Sequence, residues 1–424
     1  MTRPEKNHTQ NFRTGRSTAA AILTIAFALA VAITPAQAQT YGILHNFTGK
    51  DDGAYPITGL TKDAAGNLYG TTSDGGFWGQ SCDQGCGTVF KLTHKGSSWI
   101  FATLYAFQGE DDGEDPAGNV IFGPDGSLYG ATSAGLPNNG TVYNLKPPPS
   151  ACKAALCPWS ETVLFRFDVN QNGASPDYIT FDPAGNIYGT AQLGGPGGNG
   201  LVYKLTTSGG AWTQTILNAF QGGGSPQGGV ILDKTGNVYG TAYIPNSGWV
   251  YRLPNAGGQL QILHQFKRTD GDDPFGGLIW GAAGNLNGGA LCGGQNSEGT
   301  VYQIAFSGGG WTFSTLYNFT QGDQNYCGGP YGALTMDAAG NLYGTQHSGG
   351  AYQWGAVFKL TPTANGWTYT SLHDFCAGGY PCSDGAYPFG NVVIDSAGNV
   401  YGTASFGGKY NGEYNSGVVW RITP

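Results

Sequence analysis

The sequence predicts an all-β protein, a seven-bladed β-propeller with four antiparallel strands in each blade. Its 74 glycines and 22 prolines among 424 residues argue against a helical protein. Its 13% aromatic and 40% hydrophobic content is too high for a chain that stays unfolded. Hexapeptides related to Gly-Asn-Leu-Tyr-Gly-Thr recur along the chain, and units of roughly fifty residues with four short strands are typical of propellers. The seven copies begin at Gly66, Gly126, Gly185, Gly236, Gly284, Gly340 and Gly398.

Residues 1–38 are interpreted as a secretory signal peptide. Arg13 and Arg16 precede an uncharged run at 17–33, and Ala36-Gln37-Ala38 forms a small-x-small cleavage signature. A retained membrane helix is the alternative, but the apolar core is short for one. We therefore expect a secreted protein, periplasmic or extracellular, in which residues 39–424 form a single propeller domain with no membrane span.

The strands can be assigned from the second unit. An apolar run at 118–122 is strand a, the alternating stretches at 128–132 and 140–145 are strands b and c, and 159–167 is strand d. Aspartates open the a–b turns and glycines take the left-handed position that closes the hairpin, so we expect these carboxylates to be structural. The turn aspartates are Asp63, Asp182, Asp337 and Asp395.

The two ends of the chain predict how the ring closes. Residues 41–47 (YGILHNF) resemble the d strands of later units, whereas the chain ends after a c strand at 418–423 (VVWRIT). The last blade then lacks its own outer strand. We expect the N-terminal strand to supply it, because this removes an exposed sheet edge.

Units of the form GNLYGTT…GG…GTVFKLT, at 66–93 and 340–361, resemble those of the choice-of-anchor tandem repeat GloVer-containing proteins of bacteria. The resemblance covers nearly all of 41–424. It implies an exported repeat protein, often with a C-terminal surface-sorting segment, and supplies no activity or catalytic residue. This sequence ends without a hydrophobic tail or basic cluster of that kind, and Asn287 replaces the usual Tyr in the fifth unit.

Eight cysteines in an exported chain predict four disulfides. Three pairs are close in sequence, and the fourth joins two loops expected on the same face of the propeller. A zinc site is the alternative, but no histidine accompanies the cysteines at zinc-site spacing. The predicted pairs are Cys82/Cys86, Cys152/Cys157, Cys292/Cys327 and Cys376/Cys382.

The sequence contains no recognisable catalytic motif, and we predict no catalytic residue. Asp177 contributes the one carboxylate of the a strands that would line the central channel, so we expect an inert channel. His45, His264 and His373 share one d-strand position and are interpreted as packing residues. The net charge of −8 disfavours nucleic acid and anionic membranes as partners.

The loops between strand d and the next strand a repeat the pattern D-G-x-x-P, beginning at Asp52, Asp112, Asp270 and Asp384. One explanation is turn chemistry, because Asp-Gly followed by Pro makes a rigid corner. The other is calcium bound by clustered oxygens. No cofactor is required, and calcium is the one that the sequence leaves open. The calcium candidates are Asp111, Asp112, Asp115, Asp270, Asp272 and Asp273.

Loop aromatics concentrate on adjacent blades six, seven and one. They either pack down over long loops or expose flat rings that stack on sugars. The second interpretation predicts a monomeric binding protein that recognises a carbohydrate or a cell-surface protein. A propeller enzyme acting on a polysaccharide or lactone, and a structural or adhesion protein, are the alternatives. The predicted ligand-binding residues are Tyr55, Trp78, Tyr352, Trp354, Tyr387, Phe406 and Tyr410.

Overall fold

A computed structural model describes residues 39–79, 82–135, 139–148, 159–255, 257–322, 327–410 and 416–424. The predicted signal peptide and the predicted Cys152–Cys157 disulfide lie outside these ranges. Among the described residues, no helix has the length and apolar character needed to cross a membrane.

Seven antiparallel sheets form the blades of a β-propeller, as predicted, with strands paired in the order a-b-c-d. Blade one contains Thr61–Lys62, Leu68–Thr72, Thr88–Lys95 and Ser98–Ala106; blade two contains Glu114–Pro116, Ile121–Phe122, Leu128–Ala134, Thr141–Lys146 and Ser160–Arg166; blade three contains Ala174–Phe181, Ile187–Leu193, Leu201–Ser208 and Ala211–Ala219. Blade four contains Ser225–Leu232, Val238–Ile244, Ser247–Leu253 and Gln261–Gln265; blade five contains Leu278–Trp280, Leu286–Ala290, Thr300–Ser307 and Gly310–Asn318. Blade six contains Thr335–Met336, Leu342–Gln346, Ala356–Thr363 and Gly366–Asp374; blade seven contains Val393–Ile394, Val400–Ala404, Val418–Thr423 and Thr40–Asn46.

The inner strands are the main difference from the sequence prediction. Strand a of blade two was expected at 118–122, but it pairs with strand b in two pieces, Glu114–Pro116 and Ile121–Phe122. Between them Gly118 approaches the next blade, where an added Cβ would lie 2.6 Å from the carbonyl oxygen of Asp177. The chain leaves its own sheet there because it packs against its neighbour.

The N-terminal strand closes the ring, as predicted. Thr40–Asn46 pairs antiparallel with Val418–Thr423, from Thr40 opposite Thr423 to Asn46 opposite Val418. The backbone amide of Phe47 then donates to the carbonyl of Gly417 at 3.1 Å. Blade seven is therefore built from both ends of the described chain.

An aromatic pair joins each blade to the next. The phenylalanine that follows strand d meets, edge to face, the aromatic residue of strand c in the following blade, with ring centroids 5.0 to 6.1 Å apart. All fourteen rings are buried. Such contacts add about 0.5–1.5 kcal/mol each beyond the area that they bury. The pairs are Phe47–Phe90, Phe107–Tyr143, Phe167–Tyr203, Phe220–Tyr251, Phe266–Tyr302, Phe319–Phe358 and Phe375–Trp420.

The glycine in the fifth position of the hexapeptide makes room for these rings. A Cβ on Gly70 would lie 2.5 Å from Cζ of Phe90, and one on Gly402 would lie 2.4 Å from Cζ2 of Trp420. No heavy atom fits at that distance. The repeated motif thus encodes the contact between blades as well as a strand.

The a–b turns have the predicted structural aspartates. The carboxylate of Asp63 accepts the backbone amide of Asn67 at 2.8 Å and its side-chain amide at 2.7 Å, and Gly66 has φ +85°. Asp182, Asp233, Asp337 and Asp395 repeat the arrangement. Partial burial alone would raise the pKa of Asp63, but these hydrogen bonds outweigh it and lower the pKa.

Three of the predicted disulfides are present. They are Cys82–Cys86, Cys292–Cys327 and Cys376–Cys382, and the described residues include no free cysteine. The second joins loops of blades five and six, as expected.

Deleting residues 39–48 should lower the melting temperature sharply, because it removes strand d of blade seven and the ring of Phe47. The point variant Phe47→Ala should lower the free energy of unfolding by about 3–5 kcal/mol. Phe306→Ala serves as the control, since Phe306 is 58% exposed and should change stability by less than about 0.5 kcal/mol. Circular dichroism measures all three, and an unchanged melting curve for the deletion would refute the proposed role of this strand.

Asp233 should make stability depend on acid pH. Burial alone would raise its pKa, but hydrogen bonds from Asn237 and Thr235 lower the pKa to about 2. Because the ordinary value is about 3.9, the ionised carboxylate stabilises the folded state above about pH 4, and this contribution disappears as the pH falls towards 2. Urea unfolding of wild type and Asp233→Asn should therefore differ more at pH 5 than at pH 2.5. A difference that stays constant over this range would contradict the assignment.

Candidate functional site

The loops that connect strands b to c and strands d to the next a emerge on one face of the propeller, called here the loop face. Two pockets on this face are lined by aromatic and polar side chains. The aromatic cleft lies between blades one and two, and the channel pocket lies at the mouth of the central channel.

The aromatic cleft is built on the b–c loop of blade one. Phe77 and Trp78 are each 47% exposed and line a cleft of about 740 Å³. The Cys82–Cys86 disulfide closes the same loop, and the backbone amide of Cys86 donates to the carbonyl of Phe77 at 3.0 Å. This hydrogen bond ties the segment that presents the two rings to Cys86, the residue that ends the disulfide-closed turn.

Polar groups form the other side of the cleft, on the loop from blade one to blade two. A short 3₁₀ turn, Glu110–Asp112, lines it together with Tyr105 and Gln108. The carboxylate of Asp112 accepts the hydroxyl of Tyr105 at 2.7 Å and the backbone amide of Gln108 at 3.1 Å. Asp112 is therefore fixed in place, whereas Glu110 and Asp111 are exposed at the edge of the cleft.

Glu161, on strand d of blade two, interacts with this cluster. Its Oε1 atom is buried and has no hydrogen-bond partner among the described residues. Burial and the negative charge of Asp112 raise the pKa of Glu161 to about 7, against the opposing effect of Arg166. The pKa of Asp112 is also raised, mainly by burial. Sequence reasoning missed Glu161, because nothing in its own strand indicates that a loop carboxylate lies beside it.

The D-G-x-x-P aspartates pin their loops to strand d. The carboxylate of Asp52 lies 3.0 Å from Nε2 of His45, and that of Asp384 lies 3.0 Å from Nε2 of His373. Asp112 and Tyr105 form the equivalent contact in blade one. The ring of His45 also stacks on Phe101 of blade one, with centroids 3.8 Å apart. These contacts fit the packing role expected of the histidines and the turn interpretation of the aspartates.

Three of the other calcium candidates have protein partners. Asp115 accepts the hydroxyl of Ser133 at 2.7 Å, Asp270 lies 3.2 Å from Nε2 of His264, and Asp272 lies 3.7 Å from Nε of Arg268. Burial, then the charge of Asp272, raises the pKa of Asp273 to about 7. Among the described residues, the one group of three His, Cys or carboxylate donors within 4.8 Å is Cys82, Cys86 and Glu114, where the sulfurs already form a disulfide. Calcium binding stays a prediction.

The predicted ligand-binding aromatics divide into two groups. Tyr55, Phe406, Tyr387 and Trp354 form a chain of ring contacts at 4.9, 5.5 and 5.2 Å, and the last three pack on the buried Cys376–Cys382 disulfide. All four are half-buried. The exposed members are Tyr352, Tyr410 and, in the aromatic cleft, Trp78.

The channel pocket, of about 210 Å³, receives one side chain from every blade at the same repeat position. This is the residue that follows the proline of each d–a loop. In five blades the residue before that proline has φ between 51° and 57°, a left-handed conformation that costs energy for a residue other than glycine. The ring of residues is Ile57, Ala117, Asp177, Gln227, Phe275, Tyr331 and Phe389.

Three rings on neighbouring blades form one wall of the channel pocket. Phe275 stacks on Tyr331 with centroids 5.1 Å apart, and Phe389 meets Tyr331 edge to face at 4.9 Å. His347 packs behind them, 4.0 Å from Phe389, and burial lowers its pKa to about 4. This wall was not predicted from the sequence, from which a carboxylate, Asp177, was the one channel group singled out. The sequence does contain a signal for it, because the residue after the proline of each d–a loop lines the pocket.

Asp177 lies on blade three and is 4% exposed. Its carboxylate accepts hydrogen bonds from Thr190 Oγ1 at 2.6 Å, the Tyr178 backbone amide at 2.7 Å and Gln192 Nε2 at 3.1 Å. Burial raises its pKa to about 6, although the hydrogen bonds act in the opposite direction. A buried carboxylate therefore faces the channel pocket.

Comparison with known proteins identifies a sequence family and related folds. The Gloeobacter/Verrucomicrobia repeat matches residues 28–246 and 242–424. No curated protein matches the sequence of this chain.

Several solved structures have a similar fold. The extracellular domain of a candidate one-component system from B. thetaiotaomicron is 12% identical, with a TM-score of 0.55; the match covers 90% of this chain and 40% of that one. A candidate gluconolactonase is 14% identical over 72% of this chain and 87% of its own, with a TM-score of 0.41. PQQ-bound aldose sugar dehydrogenase from Streptomyces coelicolor is 11% identical over 91% and 98%, with a TM-score of 0.44. These similarities concern the fold alone.

Proposed function

We propose that this chain, which belongs to the Gloeobacter/Verrucomicrobia repeat family, is an exported binding protein that recognises a glycan through the aromatic cleft. The observation that carries the proposal is the pair of exposed rings, Phe77 and Trp78, held opposite a polar loop in one cleft. The three disulfides among the described residues support the exported part of the proposal, because such bonds persist in oxidising compartments.

The cleft has the chemistry that a sugar needs. The apolar face of a sugar ring can stack on Trp78 or Phe77, and its hydroxyl groups can donate to the exposed carboxylates of Glu110 and Asp111. The side-chain amide of Gln108 both donates and accepts. The volume of about 740 Å³ falls within the roughly 300–1,000 Å³ that is usual for ligand sites. The cleft therefore suits a short stretch of a glycan chain.

Bracing of the cleft favours binding. Cys82–Cys86 constrains the loop that carries the rings, and the backbone amide of Asp115 donates to the carbonyl of Cys86 at 3.1 Å, which ties that loop to blade two. A segment that hydrogen bonds already hold in place loses little conformational entropy when a ligand binds. Stacking on Trp78 would then contribute most of its energy to affinity.

Trp78→Ala should weaken binding of glycans by about 10-fold, the loss expected for one stacked ring. A glycan array screened with the wild type supplies the ligand, and calorimetry measures the affinities. Phe306→Ala is the matched control, because it removes a ring that is 58% exposed, against 47% for Trp78, from a c–d hairpin on the opposite face. If Trp78→Ala keeps the full affinity for every glycan that the wild type binds, the cleft has no such role.

A second candidate function is hydrolysis or elimination on a polysaccharide or lactone. It is favoured by Glu161 and Asp112, two coupled carboxylates of which the first has a pKa of about 7 beside the cleft. A protonated carboxylic acid next to an ionised one is the arrangement that general acid–base catalysis on sugars uses. In hydrolysis the proton would pass from Glu161 to the oxygen of the leaving group as the bond from that oxygen to carbon breaks. Water would add to the same carbon and give up its proton to the ionised Asp112.

If the protein is such an enzyme, Glu161→Gln should reduce turnover at least about 100-fold while glycan binding persists. Reducing-end and elimination assays on polysaccharides, with a hydrolysis assay on lactones, provide the measurement. Asp51→Asn controls for the change in charge, since Asp51 is an exposed aspartate on the loop face outside both pockets. Absence of turnover on every substrate by the wild type, or full activity of Glu161→Gln, would reject the enzyme and leave the binding function.

A further inference from the structure

We propose that the channel pocket is a second site, which binds a small organic cation with its ammonium group between Asp177 and the aromatic wall of Phe275, Tyr331 and Phe389. This site is separate from the aromatic cleft and does not depend on the glycan-binding function. The argument rests on the charge, the wall and the size of the pocket.

Asp177 is a buried negative charge without a cationic partner in the pocket. Lysine and arginine are absent from the described residues that line the pocket, and its hydrogen bonds come from neutral groups of Thr190, Gln192 and Tyr178. The negative charge of Asp177 also acts across the channel. The pKa of Tyr331, three blades away, is raised mainly by burial and then by this charge. Hydrogen bonds from neutral groups leave the negative charge itself unpaired, and a cation in the pocket would pair with it.

The repeat shows that a charge is not needed to fill this position. Blade four has Gln227 after its proline, where blade three has Asp177, and Gln227 reaches the same pocket. A neutral amide therefore fits the fold at that position. The carboxylate adds a charge that the equivalent position of blade four does without.

The wall opposite Asp177 suits a cation as well. In a ring of seven blades, blade three lies across the channel from blades six and seven, which supply Tyr331 and Phe389. The faces of aromatic rings attract cations electrostatically, most strongly where water is excluded. Phe275 and Tyr331 stack in parallel and so extend this wall over two blades.

The donors and the size favour an ammonium group over a metal ion or a sugar chain. Calcium takes six to eight oxygen ligands, often from several carboxylates, whereas this pocket has one carboxylate and four neutral polar side chains, Gln192, Gln227, Tyr178 and Tyr331. The volume of about 210 Å³ lies below the roughly 300–1,000 Å³ of sites for larger ligands. A quaternary or primary ammonium with few attached carbons matches both limits.

Choline and its neutral carbon isostere, 3,3-dimethylbutan-1-ol, test the proposal because they differ in charge and hardly in shape. Calorimetry is done on Trp78→Ala, so that stacking of choline on this ring of the aromatic cleft does not contribute. We expect choline to bind at least about 10-fold more tightly than the isostere. Asp177→Asn, added to Trp78→Ala, should remove this preference, whereas Asp51→Asn should change choline affinity less than about twofold.

Equal affinity for the two ligands, no binding of choline, or the same weakening by Asp51→Asn as by Asp177→Asn would overturn the proposal. The comparison of the two ligands needs no change at Asp177, so the test holds even if Asp177→Asn does not fold. Binding of glycans is measured in parallel on Asp177→Asn alone and should equal that of the wild type. The comparison of the two ligands thus tests the cation site, and glycan binding tests the aromatic cleft, so either proposal can fail without the other.

Discussion

The edge-to-face contact between two buried aromatic rings at each blade interface is the interaction on which the rest of this structure depends. A phenylalanine at the end of strand d and an aromatic residue of strand c in the next blade repeat this contact seven times around the ring. Because the rings prefer this geometry to a face-to-face stack, each pair fixes the angle between neighbouring blades as well as their distance. Glycine in strand b, as at Gly70, is a condition for the contact.

The positions of both pockets follow from this regular packing. Each d–a loop starts from a fixed phenylalanine and reaches a proline that packs on the preceding blade, as Pro56 does on Gly417. The side chain after the proline then points to the channel in every blade. Binding chemistry can vary at those positions without disturbing the contacts between blades. The packing between blades thus has the same geometry in all seven blades, whereas the pocket residues, such as Asp177 and Phe275, differ from blade to blade.

The sequence predicted the propeller fold well because short sequence motifs determine its strands and turns. Each of these motifs can be recognised within a few residues. They are the hexapeptides, the turn aspartates such as Asp63 and the matching strands at the two ends. The pockets depend on contacts between distant residues, and the sequence predicted them only in part. Trp78 was predicted and lies in a cleft, but Trp354 and Tyr387 pack on a disulfide, which only burial reveals. Glu161 and the aromatic wall were missed, because their significance comes from neighbours on other blades.

The pairing of Thr40–Asn46 with Val418–Thr423 also has a consequence for biogenesis. The polypeptide is synthesised from its N-terminus. Thr40–Asn46 therefore has no partner strand until Val418–Thr423 has been synthesised. Until then six blades can assemble in order, but the ring stays open and one strand has no partner strand. Export of an unfolded chain would suit this arrangement, since folding then starts after the whole polypeptide has crossed. A fragment released early would present an adhesive edge, which proteases and chaperones can recognise.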